Sequence, residues 1–288
     1  MNRDATVASS FNWTILQRIN MIALFVVLPL LTAFINSLVG KFSEWLCDVL
    51  SVLSTFALVV ISFMSFNLLR SGGYKPIVHT MGNWLPPFGI CFVLDGLSAL
   101  VLIVLNIIAF IAIIFSISYM EKYTDKWKYY TLFMLMLAGM NGVVITGDLF
   151  NLFVWLEMAA IASIALVAFG AEHEELEASF KYAIMSSVAS LFVLIGIALL
   201  YSYTSTLNMA DIAQILSTIP RKSSVVNFVT VLFIFGFGLK SALVPFHSWL
   251  PDAHPSAPAP ISAMLSGVLI KSLGVYALIR ILFNVIGI

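Results

Sequence analysis

The chain alternates long apolar runs with short polar breaks. A helix needs about 20 mainly apolar residues to cross a hydrocarbon layer near 30 Å thick. That ruler predicts about eight spans, at residues 19–39, 49–69, 97–119, 130–146, 149–169, 180–202, 225–250 and 261–286. The most charged connectors, 121–128 and 171–177, read as solvated loops. Segment 204–220 carries Leu207, Met209, Ile212, Ile215 and Leu216 at mixed spacing, which predicts a short amphipathic element lying along the membrane surface. The polar stretch from Met1 to Arg18 shows no small-residue cleavage site behind an apolar core, so the first span is expected to serve as an uncleaved insertion signal. Alternate connectors place Arg3, Arg18, Arg70, Lys75, Arg221 and Lys222 on one side, against Lys41, Lys122, Lys126, Lys128 and Lys181 on the other. That near balance sets no orientation.

Composition carries the same reading further. Of 288 residues, 61% are hydrophobic and 10% charged, whereas a soluble domain averages about 25% charged. No soluble core hides that much apolar surface, so lipid must cover part of it. The zero net charge gives no argument for a nucleic-acid partner. Cys47 and Cys91 lie far apart without a paired spacing. They exclude a cysteine-held iron–sulfur or structural zinc site within this chain and argue against a disulfide framework.

Against this apolar background, three charges stand at predicted membrane depth: Glu157, Lys240 and Lys271. A charge in mid-helix costs about 2.5 to 3.5 kcal/mol on insertion scales, so such residues pair or line a wet cavity. Burial favours the neutral form of an acid or an amine, while an opposite charge nearby favours the charged form. One acid and two amines therefore suit a proton relay in which moving a partner loads or releases a proton. The alternative is a static Glu157–Lys240 ion pair holding two helices together, although buried pairs stabilise weakly. Asp95 and Asp148 stand at helix starts, where a carboxylate caps free N–H groups, and a supporting role in ion transfer stays open beside capping.

Half of the ten prolines fall between Pro245 and Pro260, in the run LVPFHSWLPDAHPSAPAPIS. Proline removes a backbone donor and clashes with the preceding turn, so the helix carrying Lys240 must break shortly after it. A break at membrane depth is tolerated only where protein or water satisfies the freed carbonyls, and transporters place such breaks at ion sites. His247 and His254 in this stretch are candidates to extend a proton path, because imidazole titrates near neutral pH; the alternative for each is a hydrogen-bonded loop histidine. The two histidines with Asp252 lack the spacing of a zinc ligand set, and no metal or cofactor site is expected.

The run GFGLKSALVPFHSWLPDAHPSAPAPISAMLSGVLIKSLGVYALIR, with GDLFNLFVWLEM upstream, closely resembles the antiporter-like subunits shared by respiratory complex I, Mrp-type sodium/proton antiporters and membrane-bound hydrogenases. MGNWLPPFGICFVLDGLSAL looks more like the Mrp and hydrogenase branch. The resemblance implies that Glu157 matches the glutamate of the family's fifth helix, Lys240 the lysine of its broken seventh and Lys271 the lysine of its eighth. His254 matches a position that is often polar. It also implies a glutamate–lysine pair whose opening couples to protonation of the next lysine. Relatives usually carry two inverted five-helix repeats, so the expectation here is an all-α transmembrane bundle over residues 1–288. Helices within 19–119 would precede a single five-helix repeat over 130–286, and a complete ion path would need another chain.

Three functions follow from the resemblance. The first is a proton- or sodium-translocating, non-catalytic subunit of a membrane-bound redox complex, whose electrons travel through other subunits. The second is a subunit of a redox-free Mrp antiporter, and the third a structural half-subunit without transport. The implied partners are other membrane subunits, including further antiporter-like chains, a peripheral iron–sulfur or hydrogenase-like arm, and lipid. The implied location is a prokaryotic plasma membrane, crossed many times.

Overall fold

The computed structural model describes residues 4–218 and 223–288, with side chains from Met21 onward other than Leu273. Arg3, Arg221 and Lys222 of the charge count, the side chain of Arg18 and the end of the predicted surface segment at Pro220 therefore lie outside the described residues. The elements are α1 (Asp4–Val39), α2 (Glu44–Ser71), a hairpin of β1 (Ile77–Thr80) and β2 (Cys91–Leu94), α3 (Gly96–Tyr119), α4 (Lys126–Ile145), α5 (Leu149–Val167) and α6 (His173–Thr204). They continue through α7 (Met209–Thr218), α8 (Ser224–Lys240), α9 (Leu250–Ser256) and a last helix, α10 (Ala259–Ile286). Seven described helices are long and apolar enough to span a membrane, and the 17-residue α8 is an eighth, shorter apolar helix. The chain is an all-helical, multi-pass membrane protein.

Its core forms around α4, almost every residue of which is buried from Tyr129 to Ile145. Small residues allow that central position: a Cβ placed on Gly139 would lie 2.8 Å from Ala159 of α5, so the two backbones pack closely, as small residues permit between membrane helices. Apolar side chains on the outward faces, such as Phe34, Phe56, Ile111, Ile161 and Phe180, are exposed and suit lipid contact.

Helix starts follow local capping chemistry. Asp95 accepts from the Ser98 amide at 2.9 Å, and the Ser98 hydroxyl accepts from the Asp95 amide at 2.7 Å, a reciprocal capping box that fixes the first turn of α3. Asp148 accepts from the Asn151 amide at 2.7 Å and starts α5. Asp95 is also clamped from afar: Arg280 of α10 donates to both of its carboxylate oxygens, one at 2.6 Å, and the Arg280 Nε donates to the Tyr276 hydroxyl at 2.9 Å. That hydroxyl donates in turn to the Val144 carbonyl at 2.6 Å, so one network ties α3, α4 and α10 at the hairpin end of the bundle.

Within the predicted span 225–250 the break falls where the proline run places it: α8 stops at Lys240 and the chain runs irregularly to α9. Pro245 lacks the amide a helix would need, and Ala242 adopts the left-handed region at φ 51°. The segment 121–128 is not wholly solvated: Lys126 is buried and paired with Asp48 of α2 at 3.0 Å. The β-hairpin was not anticipated; its antiparallel register runs from Ile77 opposite Leu94 to Thr80 opposite Cys91. Strands of four residues are too short for an alternation signal. The surface segment is the ten-residue α7, pinned by the Leu149 amide on the Leu207 carbonyl and the Met209 amide on the Gly147 carbonyl, both at 2.9 Å.

Candidate functional site

The broken helix sets the geometry. Lys240 is the last residue of α8, and its side chain is only 4% exposed. Its ammonium donates to Glu157 Oε1 of α5 at 3.2 Å and to the Ser186 hydroxyl of α6 at 2.8 Å. The Ser190 hydroxyl, one turn further along α6, donates to the same Glu157 oxygen. Three helices thus converge on one acid–amine pair, and α6 contributes two hydroxyls that sequence reading passed over. Serines at i and i+4 face the same way on a helix, yet Ser186 and Ser190 stand among several other serines and threonines, and nothing local sets them apart.

Close packing brings α8 to that position. A Cβ on Gly236 would lie 2.7 Å from Val193 and 3.0 Å from the Ala189 carbonyl, and one on Gly196 would meet the Phe233 ring at 2.9 Å. Only glycine at both places lets α6 and α8 touch along their length and aim the Lys240 amine at α6. The break itself is satisfied internally. The Trp249 indole donates to the Leu239 carbonyl at 3.2 Å and the Leu243 amide donates to the Gly238 carbonyl at 2.9 Å. Carbonyls freed by the missing helical turn therefore do not face lipid bare. Trp249 stacks on Tyr182 of α6, with ring centroids 4.4 Å apart and planes at 6°. The Tyr182 hydroxyl pairs with Ser163 of α5 at 2.8 Å, so the break is anchored to the same two helices that hold Glu157.

The pair is asymmetric in access: Glu157 is 31% exposed, whereas Lys240 is sealed. The carboxylate is the side through which the pair meets its surroundings.

The remaining candidates are spread around this centre. His254 on α9 shares a hydrogen bond with Ser262 of α10. Burial pushes its imidazole below the ordinary histidine value, and the positive charge of Lys271 pushes the same way. His254 is thus an electrostatic neighbour of Lys271. His247 is exposed on the break. Lys271 is exposed on α10, where the backbone takes wide π-helical turns, and donates to the Ser266 carbonyl. Among the described residues the structure joins Glu157 to Lys240 and leaves Lys271 outside that pair. Asp95 and Asp148 sit as caps at the far end of the bundle. Burial raises the Asp148 carboxyl above the usual range, partly offset by the Asn151 and Phe150 amides. Beside these caps, between the hairpin, α7 and α10, lies a cavity of about 660 Å³, lined by Asp95, Arg280 and Asn208 among mainly apolar walls.

Comparison with known proteins follows the same outline. Residues 146–287 match the family described as NADH:quinone oxidoreductase/Mrp antiporter, TM, and residues 84–130 match the family described as NADH-ubiquinone oxidoreductase (complex I), chain 5 N-terminus. The first match contains Glu157, Lys240, Lys271 and both histidines of the break. A chain in the structure of the membrane-bound sulfane sulfur reductase, an archaeal respiratory membrane complex, superimposes with a TM-score of 0.86 at 36% identity, covering 93% of this chain and 54% of that one. A Na(+)/H(+) antiporter subunit of Alkalihalophilus pseudofirmus is 35% identical over 266 residues, 90% of this chain and 53% of the relative. An NADH-quinone oxidoreductase subunit of Desulforudis audaxviator is 35% identical over 270 residues, 91% of this chain and 52% of the relative. The chain spans about half the length of the relatives it matches.

Proposed function

This chain belongs to the family of antiporter-like membrane subunits found in Mrp antiporters, membrane-bound sulfur reductase and complex I, and we propose that it is an ion-translocating subunit of a multisubunit membrane complex. One observation carries the proposal: the sealed Lys240 ammonium, at the end of a broken helix, shared between the Glu157 carboxylate and the Ser186 hydroxyl. A membrane protein gains little stability from such a pair, because desolvation offsets the attraction. Its use lies in being switchable. With Glu157 close, the ammonium keeps its proton. If the break shifts Lys240 away, a buried ammonium without its counter-charge favours proton loss to the next acceptor. Ser186 and Ser190 hold the two groups in register in the closed state, and His254 and Lys271 supply titratable groups beyond the break.

In the finer reading the complex is redox-driven, and this subunit converts a change relayed by neighbouring chains into proton or sodium movement. The likeness to the sulfane sulfur reductase chain supports it. The second reading, a redox-free sodium/proton antiporter, is supported by the identity to the Alkalihalophilus antiporter chain. Gentle solubilisation separates them: iron–sulfur absorption co-purifying with the chain favours the first, and colourless membrane subunits alone favour the second. The transport role itself is tested with Lys240→Ala in inverted membrane vesicles. Ion pumping is expected to be lost while the complex still assembles, and unchanged pumping overturns the assignment of Lys240.

A further inference from the structure

The helices outside the Glu157–Lys240 site hold a second polar system. The inward face of α2 is lined by hydroxyls where a membrane helix would ordinarily carry apolar groups: Ser51, Ser54, Thr55, Ser62 and Ser65 are all buried. At the end of α2 near the α1–α2 turn this row meets Asp48, which is paired with the buried Lys126 of α4. Asn36 of α1 donates to Ser51 at 3.0 Å, and the Tyr130 hydroxyl of α4 lies beside Asp48.

Hydrogen bonding inside this group is incomplete. Of the seven buried side-chain atoms that lack a partner among the described residues, four lie on the Asp48 side of Leu58: Asn36 Oδ1, Asp48 Oδ1, Ser54 Oγ and Tyr130 OH. An unsatisfied buried polar atom costs about 1 to 3 kcal/mol, and several converging on one space are the condition under which buried water is retained. Two features give that space a direction. Outward, a surface cleft of about 590 Å³ is lined by Glu44, one turn before Asp48, and by Trp127 and Lys128, next to Lys126. Inward, the polar row is interrupted by Leu58, which is fully buried, before it resumes at Ser62 and the Asn106–Asn141 amide pair.

We propose that α1, α2 and α4 enclose a water-filled inlet, separate from the Glu157–Lys240 site, with the Asp48–Lys126 pair at its mouth and Leu58 as its floor. Its ligand is water and the proton that water carries, and it gives Asp48 contact with the aqueous phase from inside the bundle.

The test is thiol accessibility in the intact complex in native membranes, in a background lacking Cys47 and Cys91. Ser54→Cys places a thiol in the inlet, Leu58→Cys one at its floor and Leu53→Cys one on the lipid-facing side of the same helix. Charged, water-soluble methanethiosulfonate reagents attack the thiolate, which forms only where water solvates it. The inlet predicts that Ser54→Cys reacts at least about tenfold faster than either control, since thiolate fraction sets the rate. Ser51→Cys, one turn nearer the mouth, reads the same space should Ser54→Cys fail to insert. Reaction of the inlet positions no faster than Leu53→Cys overturns the proposal and leaves dry hydroxyl packing between helices.

Discussion

Asp95→Asn removes the charge that Arg280 clamps while leaving a side chain that still caps α3. The Arg280 and Asp95 side chains are 14% and 22% exposed, so the pair is largely withdrawn from water. Removing one partner of a buried pair costs about 3 to 5 kcal/mol, because the other charge stays buried and unpaired; the residual exposure places Asp95→Asn near the lower end. Asparagine caps a helix about as well as aspartate, so the Ser98 amide keeps an acceptor. Asp95→Ala loses the cap as well and is expected to cost about 1 kcal/mol more. Asp95→Asn combined with Arg280→Met removes both charges and is expected to return to within about 1 kcal/mol of the wild type, since apolar replacement of a buried pair is often nearly neutral.

The pH dependence of this tie has a definite sign. Burial alone pushes the Asp95 carboxyl up, but the Arg280 and Ser98 hydrogen bonds outweigh it and hold the carboxyl below its usual range. A depressed value in the folded state contributes stability that is complete above the unfolded value of about 3.9 and is lost as pH falls through the depressed value. Equilibrium unfolding in mixed detergent micelles, followed by tryptophan fluorescence at several pH values, reads the effect. Wild type and Asp95→Asn should differ at neutral pH and converge in acid. Equal stability at neutral pH, or a gap that persists unchanged into acid, would refute the reasoning.

Gly236→Ala sets a methyl group against Val193 and the Ala189 carbonyl, forcing α6 and α8 apart at a cost of about 1 to 3 kcal/mol; unfolding midpoints should fall, and pumping should fall with them because Lys240 is withdrawn from Ser186. Trp249→Phe keeps a ring on Tyr182 but strands the Leu239 carbonyl, with an expected loss of about 1 to 3 kcal/mol in the same unfolding assay. Asp148→Asn should act in the opposite sense. Its carboxyl is raised in the folded state, so the ionised form is disfavoured at neutral pH, and the amide should unfold at higher detergent concentration than wild type there, the difference vanishing below the unfolded value.

Much of the bundle was legible in the sequence because lipid imposes a length and a polarity rule on every span. The helix starts at Asp95 and Asp148, and the break after Lys240, each rest on local chemistry within a few residues. What stayed hidden is tertiary. Ser186 and Ser190 matter only because α6 turns them toward Glu157, and Asp48 and Lys126 are 78 residues apart, so Lys126 read as a loop charge and nothing singled out Asp48. Arg280 near the end of α10 was likewise silent until Asp95 appeared opposite it. Lys271, the third charge singled out in the sequence, lies outside the Glu157–Lys240 pair and donates to the Ser266 carbonyl; its place in a relay stays a proposal.

Among the described residues two carboxylate–lysine pairs have a buried lysine, and their settings differ. Asp48 lies one turn into α2, and Lys126 is the first residue of α4, a helix buried along almost its whole length. Separating them means moving whole helices against a closely packed core, which resists continuous deformation. Lys240 instead ends its helix. Beyond it, the chain from Ser241 to Trp249 is fixed by a few long-range bonds, chiefly the Trp249 indole on Leu239 and the stack on Tyr182, in place of a ladder. Few backbone bonds need to change for the Lys240 end of α8 to shift relative to α5, and segments of this kind are where local opening is least costly. In the two proposals made above, the same chemistry serves as a fixed mouth in the first place and a hinge-mounted switch in the second, and the break, more than the charges themselves, sets them apart.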